Sequence, residues 1–332
     1  MTTRSGSSIG WVTPAGATIP PDRGRGYFSG AKFPEPREAS FSVLPLLLVT
    51  LLQDTMQIRQ VQVGPEETLR TVAIGTGPPV VIIPGLVGGA YSFRRVMPEL
   101  AASGYHVVVI EPLGVGESAR PKQADYSLTA QADRIGHALD SLALTRVLLV
   151  GHSLGASAAL RLAYRRPDLV RGVLSLDGGP AETAAPPGLR RAMRWAPLLK
   201  LFVGRGTIRR EVRKGLIRNS GDTTWVTPAV IDGYTEGPGR DVGATINAFR
   251  GMSRSVEPEV LHAHLPDIRV PVLLLFGTAP HETAIDTTEV TALRRGLSSF
   301  TVDSVPEAGQ YLQEERPDAV TAAVRRLEAA SR

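Results

Sequence analysis

The sequence predicts a doubly wound, mostly parallel α/β sheet that carries a helical insertion. Three observations predict it. Short apolar runs such as PVVII, VVVI and VLLLFG recur along the chain, bounded by Gly, Pro or charged residues. Such runs suit strands buried on both faces. Stretches with helical spacing lie between them. From about residue 181 to about 265 the strand rhythm is lost and helical spacing takes over.

In chain order, residues 1–55 form an N-terminal extension, rich at first in Gly, Pro, Ser and Arg and expected to be partly flexible. Its residues 41–52, FSVLPLLLVTLL, are apolar but interrupted by Pro45. They fall short of the ~18 residues a membrane span needs. They are read as an apolar segment that packs on the body or shields a site. The core is expected over 56–180 and 266–332, with a cap over 181–265. QIRQVQV opens the sheet, and TLRTVAIG alternates as an antiparallel strand does. PPVVIIPG, YHVVVIEP, RVLLVG, VRGVLSLDGG and RVPVLLLFG read as buried strands, and SFTVDSV as a later one. SFRRVMPELAASG, SLTAQADRIGHALDSLAL, LGASAALRLAYRRP, TEVTALRRGL and DAVTAAVRRLEAA have helical spacing. Gly104 and Pro167 close two of these.

Composition bounds the function classes. With no cysteine among 332 residues, neither a disulfide framework nor thiol catalysis is available, and a cytoplasmic setting is the default. The net charge of +5 rests on arginine, since lysine occurs only at 32, 122, 200 and 214. A bacterial codon bias that places arginine on a solvated surface accounts for this charge. No nucleic-acid-binding module is recognisable, and GLVGGA lacks the spacing of a dinucleotide fingerprint. No metal site or cofactor is expected. His262 and His264, an i, i+2 pair without a third ligand nearby, are a weak metal signal.

The sharpest chemical signal is VLLVGHSLGASAAL. Ser153 stands in G-H-S-L-G between a strand and a helix, the context a nucleophile elbow requires. Gly151 and Gly155 permit the tight turn, and the Leu154 N–H at the helix start can donate to an oxyanion. His152 adjoins Ser153 but points elsewhere on such a turn and is read as a packing or hydrogen-bonding residue. His106 and His137 are read as structural.

These motifs resemble the α/β-hydrolase fold superfamily, over roughly residues 56–330. IIPGLVGG is similar to the loop that gives the second oxyanion-hole amide, which the resemblance assigns to Leu86. EPLGVGES matches a family turn, with Glu111 in place of aspartate. PVLLLFG matches the strand leading to the triad acid, and VPEAGQYLQEERPDAV the histidine segment. Two triad positions depart from the pattern: the acid position holds Pro280 and the histidine position Gln310. Asp177 stands where some members keep their acid, or caps the next turn.

A serine hydroxyl is a poor nucleophile until a base takes its proton, and removal of the base from a serine protease costs about 10⁶-fold in rate. Glutamine cannot serve as that base. Three readings follow. The first is a cofactor-free enzyme in which Ser153 and Gln310 act as hydrogen-bond partners for proton transfer, cyclisation or carbon–carbon bond formation on a bulky hydrophobic small molecule, such as a bacterial natural-product intermediate. The second is an ester-type hydrolase with His281 as relocated base, oriented by Glu282 or Asp286. The third is a ligand-binding protein without turnover. In the cap, Leu189, Met193, Leu198 and Phe202 fall near one helix face, and Trp195 and Tyr234 are candidate substrate contacts. Oligomeric state is open.

Overall fold

The computed structural model describes residues 55–196 and 203–332. The expected apolar segment 41–52, with Leu198 and Phe202, lies outside the described residues. Eight strands form one sheet: β1 (Gln57–Gly64), β2 (Glu67–Ile74), β3 (Pro79–Ile83), β4 (His106–Ile110), β5 (Val147–His152), β6 (Val170–Leu176), β7 (Val272–Gly277) and β8 (Phe300–Val305). Their order is β1-β2-β4-β3-β5-β6-β7-β8. The hairpin β1–β2 is antiparallel, as is β2 to β4, and every later pairing is parallel. This is the doubly wound, mostly parallel sheet the apolar runs predict.

The runs are apolar because both faces are covered. In β3, Val80, Val81, Ile82 and Ile83 are all fully buried. Successive side chains point to opposite faces, so Val81 and Ile83 join one core layer and Val80 and Ile82 the other. The first layer packs under α2 (Leu128–Ser141) and α3 (Leu154–Arg165). The second packs under α1 (Val96–Ala102) and the C-terminal α11 (Pro317–Ala330). Each such side chain contributes roughly 1.5–3 kcal/mol by leaving water. The segment read as a single helix from Ser92 divides: a 3₁₀ turn over Gly89–Phe93 precedes α1.

Between β6 and β7 stand α4 (Pro187–Met193), α5 (Arg205–Arg218), α6 (Pro228–Arg240), α7 (Val242–Arg254) and the short α8 (Leu261–His264). Thr227 caps α6 by accepting from the Val230 N–H at 3.3 Å. Asp241 caps α7 by accepting from the Ala244 N–H at 2.8 Å. After β7 come α9 (Thr287–Gly296), β8 and the short α10 (Leu312–Glu315). No helix among the described residues is long and apolar enough to cross a membrane.

The two ends of the insertion are tied together through one buried arginine. Arg161 of α3 is fully buried, and its guanidinium donates to the Ala181 carbonyl at 3.0 Å and to Glu182 at 3.1 Å. The same guanidinium lies 3.5 Å from Glu257. Glu182 accepts from the Leu261 and His262 amides, both at 3.0 Å. The chain leaving the sheet and the chain returning to it therefore meet on one buried cation.

Candidate functional site

Ser153 occupies the turn between β5 and α3 with φ 52° and ψ −121°. A non-glycine residue rarely adopts this left-handed φ, and such a conformation persists where its surroundings over-determine it. Here they do. The Ser153 amide donates to the Leu176 carbonyl at 3.0 Å. A Cβ on Gly155 would collide with the Ile83 carbonyl oxygen, and one on Gly178 would lie 2.5 Å from that of Ser153. The turn thus presents the Ser153 hydroxyl at the C-terminal edge of the parallel strands. Leu154 opens α3, whose first N–H groups have no acceptor within the helix, and Leu86 follows β3. Both line one cavity with Ser153.

The hydroxyl faces an amide. Gln310, which follows β8, donates from Nε2 to Ser153 Oγ at 3.3 Å. Gln310 is buried, and its backbone is held at both ends. Its N–H donates to the Asn219 carbonyl at 2.8 Å, and its own carbonyl lies 3.1 Å from His152 Nε2. Burial pushes the His152 pKa down, against the Gln310 carbonyl and the Asp177 charge. The ring is therefore neutral and donates from Nε2 to that carbonyl, while Nδ1 has no partner among the described residues. His152 is the packing and hydrogen-bonding residue that its place beside Ser153 suggests. No sequence signal marks Asn219. It terminates α5, and its side-chain oxygen also accepts from the Glu282 amide at 3.0 Å.

His281 and Asp177 come together across 104 positions, with Nε2 2.6 Å from the Asp177 Oδ2 and both side chains fully buried. The other ring nitrogen, Nδ1, is 2.8 Å from the Ala279 carbonyl. Burial opposes charge on this ring, but the hydrogen bond and negative charge of Asp177, with the Ala279 carbonyl and Glu315, outweigh it and raise the pKa. Both ring nitrogens thus face acceptors, the Ala279 carbonyl and the Asp177 carboxylate, which favours the protonated ring. The orienting acid is Asp177 rather than the expected Glu282 or Asp286. Glu282 pairs with Arg218 at 3.1 Å, and Asp286 caps α9 through the Glu289 amide at 2.8 Å. Asp177 itself sits at φ 46°, and its second oxygen, Oδ1, is buried with no hydrogen-bond partner among the described residues.

The cavity measures about 580 Å³, within the range of small-molecule sites. Ser153 and Gln310 form a polar end, with the Asp177 carboxylate buried behind it, and Leu86, Val87, Val212, Leu216 and Ile285 supply apolar wall. Trp195 and Tyr234 do not line it. Trp195 is 64% exposed at the end of α4. Tyr234 is fully buried, donates to Glu314 at 2.8 Å and packs edge-on against Tyr91.

The remaining signals have structural partners. Glu111 is buried and accepts from the Ala90 and Glu117 amides at 2.7 and 2.6 Å. This pins the loop after β3 to the loop after β4. His262 meets Glu182 at 2.6 Å, and His264 meets Asp267 at 2.9 Å while stacking on Tyr164. Among the described residues there is no group of three metal-binding side chains.

Comparison with known proteins agrees with this architecture. Residues 78–217 match a family model described as the alpha/beta hydrolase fold. An uncharacterized hydrolase, YugF of Bacillus subtilis, is 25% identical over 73% of this chain and 86% of its own length. A putative carbamate hydrolase, RutD of Klebsiella pneumoniae, is 35% identical, but over 31% of this chain and 38% of its own. Among solved structures, the epoxide hydrolase CorEH without ligand superposes with a TM-score of 0.70 at 19% identity, covering 84% of this chain and all of that one. That last likeness concerns the fold. With an eight-stranded, mostly parallel sheet and a serine on a strained strand-to-helix turn, the described residues have the α/β-hydrolase fold that the family model over residues 78–217 describes.

Proposed function

We propose that the protein is a cofactor-free enzyme that binds a bulky, mostly apolar small molecule bearing a carbonyl or phenol and transforms it without acylating Ser153. The observation that carries this reading is the Gln310 amide on the Ser153 hydroxyl. An amide donates a hydrogen bond but takes no proton near neutral pH. Neither neighbouring imidazole hydrogen-bonds Ser153 among the described residues: His152 turns Nε2 to the Gln310 carbonyl and pairs nothing with Nδ1, and His281 spends both nitrogens on Ala279 and Asp177. The hydroxyl therefore remains a hydrogen-bonding group. Ser153 and Gln310, with the Leu86 and Leu154 amides, suit a substrate oxygen that becomes more negative during reaction. Proton transfer, cyclisation and carbon–carbon bond formation through an enolate or phenolate share that need. The apolar wall favours a hydrophobic substrate.

The competing reading, an ester-type hydrolase, draws on relatives that carry hydrolase names. A single experiment separates the two. The protein is incubated with p-nitrophenyl butyrate, and the Ser153 peptide is followed by mass spectrometry. The expected result is no butyryl adduct and a rate equal to that of Ser153→Ala. An adduct on Ser153, with turnover above that variant, overturns the proposal.

A further inference from the structure

We infer that a small apolar side pocket between Leu86 and Leu154 receives a short alkyl group of the substrate, and that Ala158 and Met252 set the length it accepts. The inference rests on the reading above, in which the Leu86 and Leu154 amides face a substrate oxygen, and it names the group carried beside that oxygen. The side pocket measures about 30 Å³, against 580 Å³ for the main cavity. A water-sized sphere takes about 10–15 Å³ on this measure, so about two such groups fit. Gly85, Leu86 and Leu154 line both spaces. Leu86 and Leu154 are half-buried, while every other residue around the side pocket is buried. The way in therefore passes between these two leucines, from the main cavity.

The lining selects an apolar occupant over water. Val115, Leu128, Ala158, Ala184 and Met252 present apolar side chains. The two polar side chains in the lining are already engaged. Gln131 accepts from the Leu113 amide and donates to the Leu113 carbonyl, both at 2.9 Å, and the Tyr126 hydroxyl donates to the Pro121 carbonyl at 2.8 Å. A buried water needs about two to four polar partners, and an apolar hollow without them stays dry. Left empty, it forfeits the dispersion contacts that a filled interior makes. A substrate alkyl group restores them. Ala158 stands one turn beyond Leu154 on α3, on the same helix face. Met252 comes from α7, so the insertion supplies part of the wall. A larger side chain at 158 fills the pocket, and a smaller one at 252 lengthens it.

The test uses acetophenone, propiophenone and butyrophenone, phenyl ketones that differ only in a methyl, ethyl or propyl arm. Dissociation constants are measured by ligand-observed NMR titration of the full chain, Ala158→Val and Met252→Ala, with a thermal melt to verify folding. The wild type is expected to bind propiophenone about fourfold more tightly than acetophenone, the worth of one buried methylene, with no further gain for butyrophenone. Ala158→Val is expected to abolish the gain from methyl to ethyl, and Met252→Ala to add about fourfold for butyrophenone. A loosened fold would instead weaken all three ketones alike. If Ala158→Val does not fold, the wild-type and Met252→Ala ratios decide alone. The inference is overturned by equal ratios in the wild type and both variants, by a wild-type gain that continues to butyrophenone, or by no saturable binding of any of the three. A butyryl adduct on Ser153 in the ester experiment overturns the non-acylating reading instead, so the two failures are distinct.

Discussion

Arg161→Met probes how the insertion is held over the site. Arg161 is fully buried and Glu257 nearly so, with 6% of its side chain exposed. Methionine roughly matches the arginine stem but removes the charge, which leaves Glu257 buried without its cation. Breaking a buried pair by removing one partner costs roughly 3–5 kcal/mol. Glu257 keeps three donors, the Leu128 amide at 2.7 Å and the Thr129 amide and hydroxyl at 3.0 and 2.9 Å. These place the expected loss at the low end, about 3 kcal/mol. For a chain of this size that corresponds to about 6 °C in melting temperature. The assay is calorimetric or circular-dichroism melting of the wild type, Arg161→Met, and Arg161→Met with Glu257→Gln. Neutralising Glu257 in the double variant is expected to recover about half of the loss, because the uncompensated charge is gone. A loss below about 1 kcal/mol, or a double variant less stable than the single one, would refute the argument.

Other expectations follow from the same contacts. Gly178→Ala places a methyl 2.5 Å from the Ser153 carbonyl oxygen and 2.6 Å from Ala156 Cβ. It should cost about 1–3 kcal/mol, read as a lower melting temperature. His281 has a raised folded pKa, so its stabilisation is complete below the unfolded value of about 6.5 and is lost as pH rises through the folded value. Melting temperature should decline across that alkaline interval in the wild type and flatten there in His281→Gln. Asn219→Ala removes the acceptor of the Glu282 amide. Hydrogen exchange at Glu282 should quicken roughly tenfold, the equivalent of one hydrogen bond of typical strength.

Much of the fold was legible because each signal is local. PVVII, VVVI and VLLLFG are apolar throughout because parallel strands are covered on both faces, and all three are strands in the sheet. The turn at Ser153 was legible because its glycines and flanking elements are contiguous. The polar end of the cavity was less so. That Asp177 pairs with His281 depends on how the loops after β6 and β7 approach each other, and residues adjacent to His281 looked equally able to orient it. Glu282 and Asp286 are instead taken by Arg218 and by the start of α9. Asn219 carries no motif at all; its role arises because α5 ends against the segments before Gln310 and Glu282. Tyr234 looked like a substrate contact since aromatic residues in an insertion often face a ligand. Its hydroxyl instead meets Glu314, a charge 80 positions away that no periodicity reveals.

The most direct test of the central claim, that the Ser153 hydroxyl is not activated, is its reaction with a fluorophosphonate probe. The wild type is labelled beside Ser153→Ala and His281→Ala, and the rate at Ser153 is measured. The account predicts no labelling of folded wild type above the Ser153→Ala background, because Gln310 donates to the hydroxyl and neither neighbouring imidazole hydrogen-bonds it among the described residues. Fast labelling of the wild type that disappears in both variants would contradict it and identify His281 as a working base for Ser153.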